Sequence, residues 1–242
     1  RNGAMLSFMF NPISNKSKKE GDKKSSNKTE NKVKMEVLDS DLKIIRTVDH
    51  KVEPGFNRIY WDLRRKGVRS PNSPKPTKPD AREPRGPSVL PGEYTVRLTY
   101  QKNTQEQVVN VIMDPRVGVD MDNLEKIQKI YNRQMEIVSS VTNAMDQIRD
   151  ARSVVASVNK FLDVKNKVNH KELQSSGKAM TDSLKVLQEL ILNKEGLQGI
   201  VRSPDILSAK INSINRYLYS NLTGPNSSHE FLMKFSENET KI

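Results

Sequence analysis

The chain has 242 residues, no cysteine and a formal charge of +12, with 29% charged and 34% hydrophobic residues. That length accommodates one or two domains, and the missing cysteine excludes disulfides, thiolate chemistry and cysteine-built zinc sites. No apolar run reaches the ~18 residues that a membrane span needs, so no membrane span is expected.

The charge is localised. Residues 14–34 carry eight Lys against three acids and residues 64–85 carry eight Lys/Arg against two, which is +5 and +6 of the +12. Neither stretch holds an aromatic residue on which a base could stack, which speaks against nucleic acid as a partner. Both read first as solvated loops, with binding to an anionic surface or polymer as the alternative.

The chain starts at Arg1, shows no signal-peptide pattern and opens into a strand-like run, Ala4–Phe10, closed by Asn11-Pro12. It therefore reads as a piece of a longer protein. Residues 14–32 form a flexible Lys/Ser/Asn/Glu tract. Val33–Leu38 alternates with Val33, Met35 and Val37 on one face, and Leu42–Val48 follows after the turn Asp39-Ser40-Asp41, which predicts a hairpin. After Pro54-Gly55 comes the stretch that carries the only Trp. There Ile59, Trp61 and Leu63 form the core face of a strand at the centre of the packing.

Residues 67–88 contain six of the twelve prolines and read as extended loop. A proline-ligand role for them is the lesser alternative to a long connection. Pro91-Gly92 suits positions i+1 and i+2 of a type II turn. It leads into Tyr94–Tyr100, with Tyr94, Val96, Leu98 and Tyr100 inward, and Gln107–Met113 is the last strand. Six short strands separated by turn signals predict an all-β sandwich of roughly immunoglobulin size over 1–119.

Four motifs stand in order here: Pro54-Gly55-x-Asn57; Trp61-Asp62-Leu63-Arg64; Gly86-Pro87-x-Val89-x-Pro91-Gly92-x-Tyr94-Thr95-Val96-Arg97-Leu98; and Asp114-Pro115-Arg116. Together they resemble the C-terminal module of exported bacterial BNR-repeat, sortilin-like β-propeller proteins, which carry a glycosyl hydrolase label. That module is similar to the immunoglobulin-like domain of the flagellar hook-capping protein. The resemblance covers residues 3–116 and, less sharply, the helical tail. It implies an accessory domain of a bacterial protein, located outside the cell or in its envelope, with an upstream β-propeller in the same polypeptide as partner. The Lys-rich insertion at 14–32 departs from the pattern and the propeller repeats are absent from the sequence. If the parent is a hydrolase, its active site lies in those upstream repeats, so no catalytic residue carries over.

From residue 120 the apolar period changes to helical. Leu124, Ile127, Tyr131, Gln134, Val138, Val141, Met145, Ile148, Arg152, Val155 and Leu162 follow 3–4 spacing, with Asn159 skipped. They predict one helix of about 39 residues, near 58 Å long, with Asp122 and Glu125 as its capping box. Asn169 and Glu172 would cap a second helix whose seam is Leu173, Gly177, Met180, Leu184, Leu187 and Ile191. Ser203-Pro204 opens a third with Leu207, Ile211, Ile214 and Leu218. After Thr223-Gly224-Pro225, Ser227 with Glu230 caps a fourth carrying Phe231, Leu232 and Phe235. The short connections predict an antiparallel helical bundle over 120–242, cut short at its C-terminus, with one long helix. A protein partner on this helical arm is a further expectation.

The residues name no reaction. His50, His170 and His229 fall in separate turn or cap regions without metal-ligand spacing, and exposed histidine is the expectation. Asp62 and Asp114 sit beside Arg64 and Arg116 and read as local ion pairs. Asp39-Ser40-Asp41 lacks the remaining ligands of a Ca²⁺ loop. The expectation is a mixed, all-β plus all-α fragment with no catalytic, cofactor-binding or metal residue and no cofactor of its own. It is not an enzyme as it stands, but a non-catalytic accessory and interaction module.

Overall fold

In the computed structural model, residues 3–12, 31–78, 81–116, 118, 120–164, 171–194, 206–220 and 225–240 are described. The described chain has eight strands in antiparallel sheets and four helices. It divides into two compact units, Arg1–Gly67 with Lys78–Gly118, and Val68–Thr77 with Val119–Ile242.

In the β unit, alternation builds the sheets. β1 (Ala4–Phe10) pairs with β4 (Gly55–Trp61), and a four-stranded sheet runs β3-β2-β7-β8 (β2 Lys32–Leu38, β3 Ile44–Lys51, β7 Gly92–Tyr100, β8 Asn103–Val111). Val33, Met35 and Val37 are buried while Lys32 and Lys34 are exposed, as period-2 alternation requires. Met35, Val37, Ile45, Val96, Ile59, Trp61 and Val89 form one core, to which both sheets contribute. The hairpin turn is built as its aspartate suggests. The Asp39 carboxylate accepts from the backbone N–H of Asp41 (3.1 Å) and Lys43 (3.0 Å), and Leu42 takes the left-handed conformation at φ +58°. Gly92 has φ +151°, positive as expected but far from the +80° of a type II turn.

Three expectations change. Two strands occur beyond the six, β5 (Arg64–Lys66) and β6 (Arg85–Ser88), which pair with each other. They were hidden because each is very short and one contains a proline. The proline-rich stretch 67–88 is thus not loop throughout. Gly67 and Gly86 permit this ladder: a Cβ at either would lie 2.3 Å from the Arg85 carbonyl oxygen or 2.6 Å from that of Lys66. The last strand begins at Asn103 rather than Gln107, because Gln101 accepts φ +53° and closes a tight hairpin. The Trp61 strand is central to the core but not to a sheet, since β4 pairs only with β1.

The helical unit is organised on α1 (Met121–Val164), 44 residues or about 66 Å long. All eleven expected seam residues are buried or half-buried, and Asn159 continues them. Its start is one turn-residue earlier than expected: the Asp120 carboxylate accepts from Asp122 N–H at 3.3 Å, so Asp122 lies in the first turn and not at the cap. α3 (Leu207–Ser220) buries Leu207, Ile211, Ile214 and Leu218, and the Tyr131 hydroxyl of α1 donates to the Leu218 carbonyl. α4 (Ser227–Glu239) is capped by Asn226 and not Ser227. The Asn226 side chain accepts from His229 N–H, and the His229 ring accepts from Asn226 N–H. Its buried residues are His229, Met233 and Ser236, whereas Phe231 is exposed. The expected caps at Asn169, Ser203-Pro204 and Thr223-Gly224 lie outside the described residues.

Candidate interaction site

The site grows from how α1 is held. Buried polar residues Thr142 and Asp146 interrupt its apolar seam, and the segment 68–77 explains them. Thr142 Oγ1 donates to the Arg69 carbonyl (2.8 Å), Asp146 pairs with the Arg69 guanidinium, and Arg149 donates to the carbonyls of Pro71 (2.7 Å) and Ser73 (3.2 Å). Pro71 is fully buried, and Val68 packs on the Val138, Val141, Leu207 and Ile211 cluster. A proline-rich strap therefore clamps the middle of α1. Proline suits this place because its carbonyls are offered without competing donors.

Beyond the strap, α1 pairs with α2 (Lys171–Ile191). Arg152 donates to Gln188, and a Cβ at Gly177 would meet Asn159 Oδ1 at 2.4 Å. Position 152 faces 188 and 159 faces 177, so the two helices are antiparallel. The residues of α2 turned toward α1 are Gln174, Gly177, Thr181, Leu184 and Gln188, each buried or half-buried.

Half of the expected α2 seam is overturned: Gly177, Leu184 and Ile191 are half-buried as expected, and the other three residues are not. Leu173, Met180 and Leu187 are 54%, 52% and 49% exposed. The reason is local: glycine at 177 lets the backbones approach, and the Arg152–Gln188 bond fixes the rotation. The more apolar stripe is thereby turned outward. On α1, Val154, Val158 and Phe161 are also exposed, at 63%, 47% and 61%. At 100° per residue, both triplets lie on the same side of the antiparallel pair. Leu190 extends the face at the end of α2, at 51% exposure, whereas Val186, 60% exposed, lies toward Asp182 and Glu189.

With these exposures the seven side chains leave on the order of 700 Å² open, within the range that one partner gives to a standard protein interface. The charged residues Lys171, Lys178, Asp182, Lys185 and Glu189 fall on the opposite side of α2. The face continues into a groove of about 270 Å³ lined by Val141, Ile148, Leu187, Leu190, Ile191 and Leu207. An exposed apolar face of this size is a mark of an interaction site.

The ionisable groups singled out in the sequence are mostly engaged. Asp114 pairs with Arg116 at 2.6 Å, as expected, and that guanidinium holds its carboxyl below the usual range. Asp62 pairs with Arg85 at 3.1 Å and not with Arg64, whose guanidinium donates to the Gly86 carbonyl. The histidines are not exposed: His50 is half-buried on β3 and His229 is fully buried. His170 lies outside the described residues. In the basic segment 64–85, Lys66 pairs with Glu83, Arg69 with Asp146, Lys75 with Asp150 and Arg85 with Asp62. Most of the tract 14–34 lies outside the described residues. Among the described residues, no three His, Cys, Asp or Glu side chains come together as metal ligands, and no helix is long and apolar enough to cross a membrane. No family model, curated protein or solved structure matches the chain.

Proposed function

We propose that the chain is a non-catalytic accessory module of a larger exported polypeptide. In it, an immunoglobulin-like sandwich carries a helical bundle that packs against, or presents, a neighbouring β-propeller. The observation that carries this is the exposed apolar face of the α1–α2 pair, whose area suits one side of a protein interface. The β unit adds support for the immunoglobulin-like part. The Tyr94 hydroxyl donates to the Leu90 carbonyl four residues upstream (2.8 Å) while its ring packs edge-on against Trp61 at 5.3 Å. This corner resembles the tyrosine corner of such sandwiches.

The test is the double substitution Met180→Lys/Leu187→Lys. In the 242-residue chain it leaves stability within about 0.5 kcal/mol, because both residues face solvent there. In the polypeptide extended upstream through its propeller, it raises the rate of proteolysis between the two parts at least tenfold. Unchanged proteolysis in the extended protein overturns the docking role. Unfolding of the short chain would show the face to be core. Binding of anionic polymers through 14–34 and 64–85 is the weaker reading, since four cations of the second segment already hold carboxylates.

A further inference from the structure

The β unit contains a buried guanidinium that makes no ion pair among the described residues. Arg46 stands on β3 beside core residue Ile45 and is 2% exposed. One terminal nitrogen donates to the Pro84 carbonyl at 2.5 Å, and Nε is buried without a partner. Among the described residues it forms no ion pair. The two carboxylates whose charge acts on it, Asp62 and Glu83, are held by Arg85 (3.1 Å) and by Lys66 (2.9 Å) with the Thr47 N–H (2.8 Å). A buried unpaired charge costs several kcal/mol, and the usual remedy is an anion.

There is room for one. Arg46 lines a cavity of about 840 Å³ whose walls also include Arg58, Arg64, Arg82, Arg85 and Trp61. Five arginines thus line a space whose one lining carboxylate is Asp62; of these, Arg64 is bonded to the Gly86 carbonyl and Arg85 to Asp62, which leaves Arg46 and Arg82 to meet a ligand. Arg82 carries no ion pair among the described residues, and the Arg58 guanidinium rests over the Phe56 ring at 5.1 Å. His50 also lines the wall, with a buried Nε2 that has no partner. The volume is that of a small-ligand pocket. Guanidinium forks match the paired oxygens of carboxylate and phosphate.

We infer that this cavity is a binding site for a small molecule bearing an oxyanion, a carboxylate or a phosphate, with Arg46 at its floor and Arg82 at its rim. The apolar wall formed by Trp61 and Ile59 takes the body of the ligand, and the buried arginine fixes its charged end. Desolvation drives the Arg46 guanidinium below its ordinary value, and a bound anion reverses that effect.

The only tryptophan of the chain lines the cavity, so it reports occupancy directly. The experiment titrates the 242-residue chain with inorganic phosphate and, separately, with acetate at constant ionic strength, following Trp61 emission. A saturable change with either probe is expected, and the two arms distinguish phosphate from carboxylate preference. Arg82→Gln, an exposed position, weakens the midpoint at least threefold, and Arg46→Gln abolishes saturation while far-UV circular dichroism stays unchanged. If Arg46→Gln fails to fold, the Arg82→Gln comparison decides alone. A non-saturable response to both probes, or equal midpoints for wild type and Arg82→Gln, overturns the site.

Discussion

His229 shows how one buried ring can set acid sensitivity. It is fully buried at the start of α4, accepts the Asn226 N–H on Nδ1, and its Nε2 has no partner. Burial pushes its pKa below the ordinary 6.5. In that case the unfolded chain takes up a proton before the folded chain does. The contribution to stability is complete above pH 6.5 and is lost as the pH falls through the folded value. Burial and the nearby Arg82 lower His50 in the same sense. His229→Gln should therefore flatten, without abolishing, the fall in melting temperature between pH 6.5 and 5; an unchanged slope would place the neutral ring elsewhere. Asp146 is the second telling residue, 5% exposed and shared by Arg69 and Arg149. Removing it strands two partly buried guanidinium groups, so Asp146→Ala should cost about 2–4 kcal/mol in urea unfolding. A loss below about 1 kcal/mol would mean that the strap does not clamp α1.

Among the elements, those with one unambiguous period were legible. Val33, Met35 and Val37 alternate with charged residues, and the α1 seam from Leu124 to Leu162 runs along nearly the whole helix, so face and element type followed together. α2 offers two lines seven residues apart, Leu173-Met180-Leu187 and Gln174-Thr181-Gln188. Hydrophobicity favours the first, yet the packing uses the second. What decides is the backbone approach at Gly177 and a hydrogen bond to Arg152, neither of which periodicity records. Such a local conflict is expected where a surface is reserved for a partner. A larger side chain at 177 should separate the helices. Gly177→Leu is expected to lower amide protection throughout α2, with a loss of about 1–3 kcal/mol from overpacking. Unchanged protection would mean that Asn159 alone gives way. β5, β6 and the strap were illegible for another reason: their partners lie about 20 to 80 residues away, and no local pattern specifies them.

On the scale of the whole molecule, the chain alternates between its two units: residues 68–77 leave the β unit, clamp α1, and the chain returns at Lys78. A linker of six prolines is thus partly a structural member of the helical unit. The mixed all-β and all-α composition was legible, and the sandwich and accessory role remain the proposal made above. Of the apolar face, the sequence singled out Leu173, Met180 and Leu187, as seam residues, and not Val154, Val158 or Phe161; that the face stays open required the rotation of α2. The most direct measurement is thiol labelling of Met180→Cys and, separately, Val158→Cys, in a chain that has no cysteine of its own. Both should label at nearly the rate of a free thiol in the 242-residue chain, independent of concentration, and at least tenfold more slowly in the polypeptide extended through the proposed propeller. Equal rates in the two proteins, or protection that rises with concentration in the short chain alone, would contradict docking on a propeller, the latter in favour of a second copy of this chain.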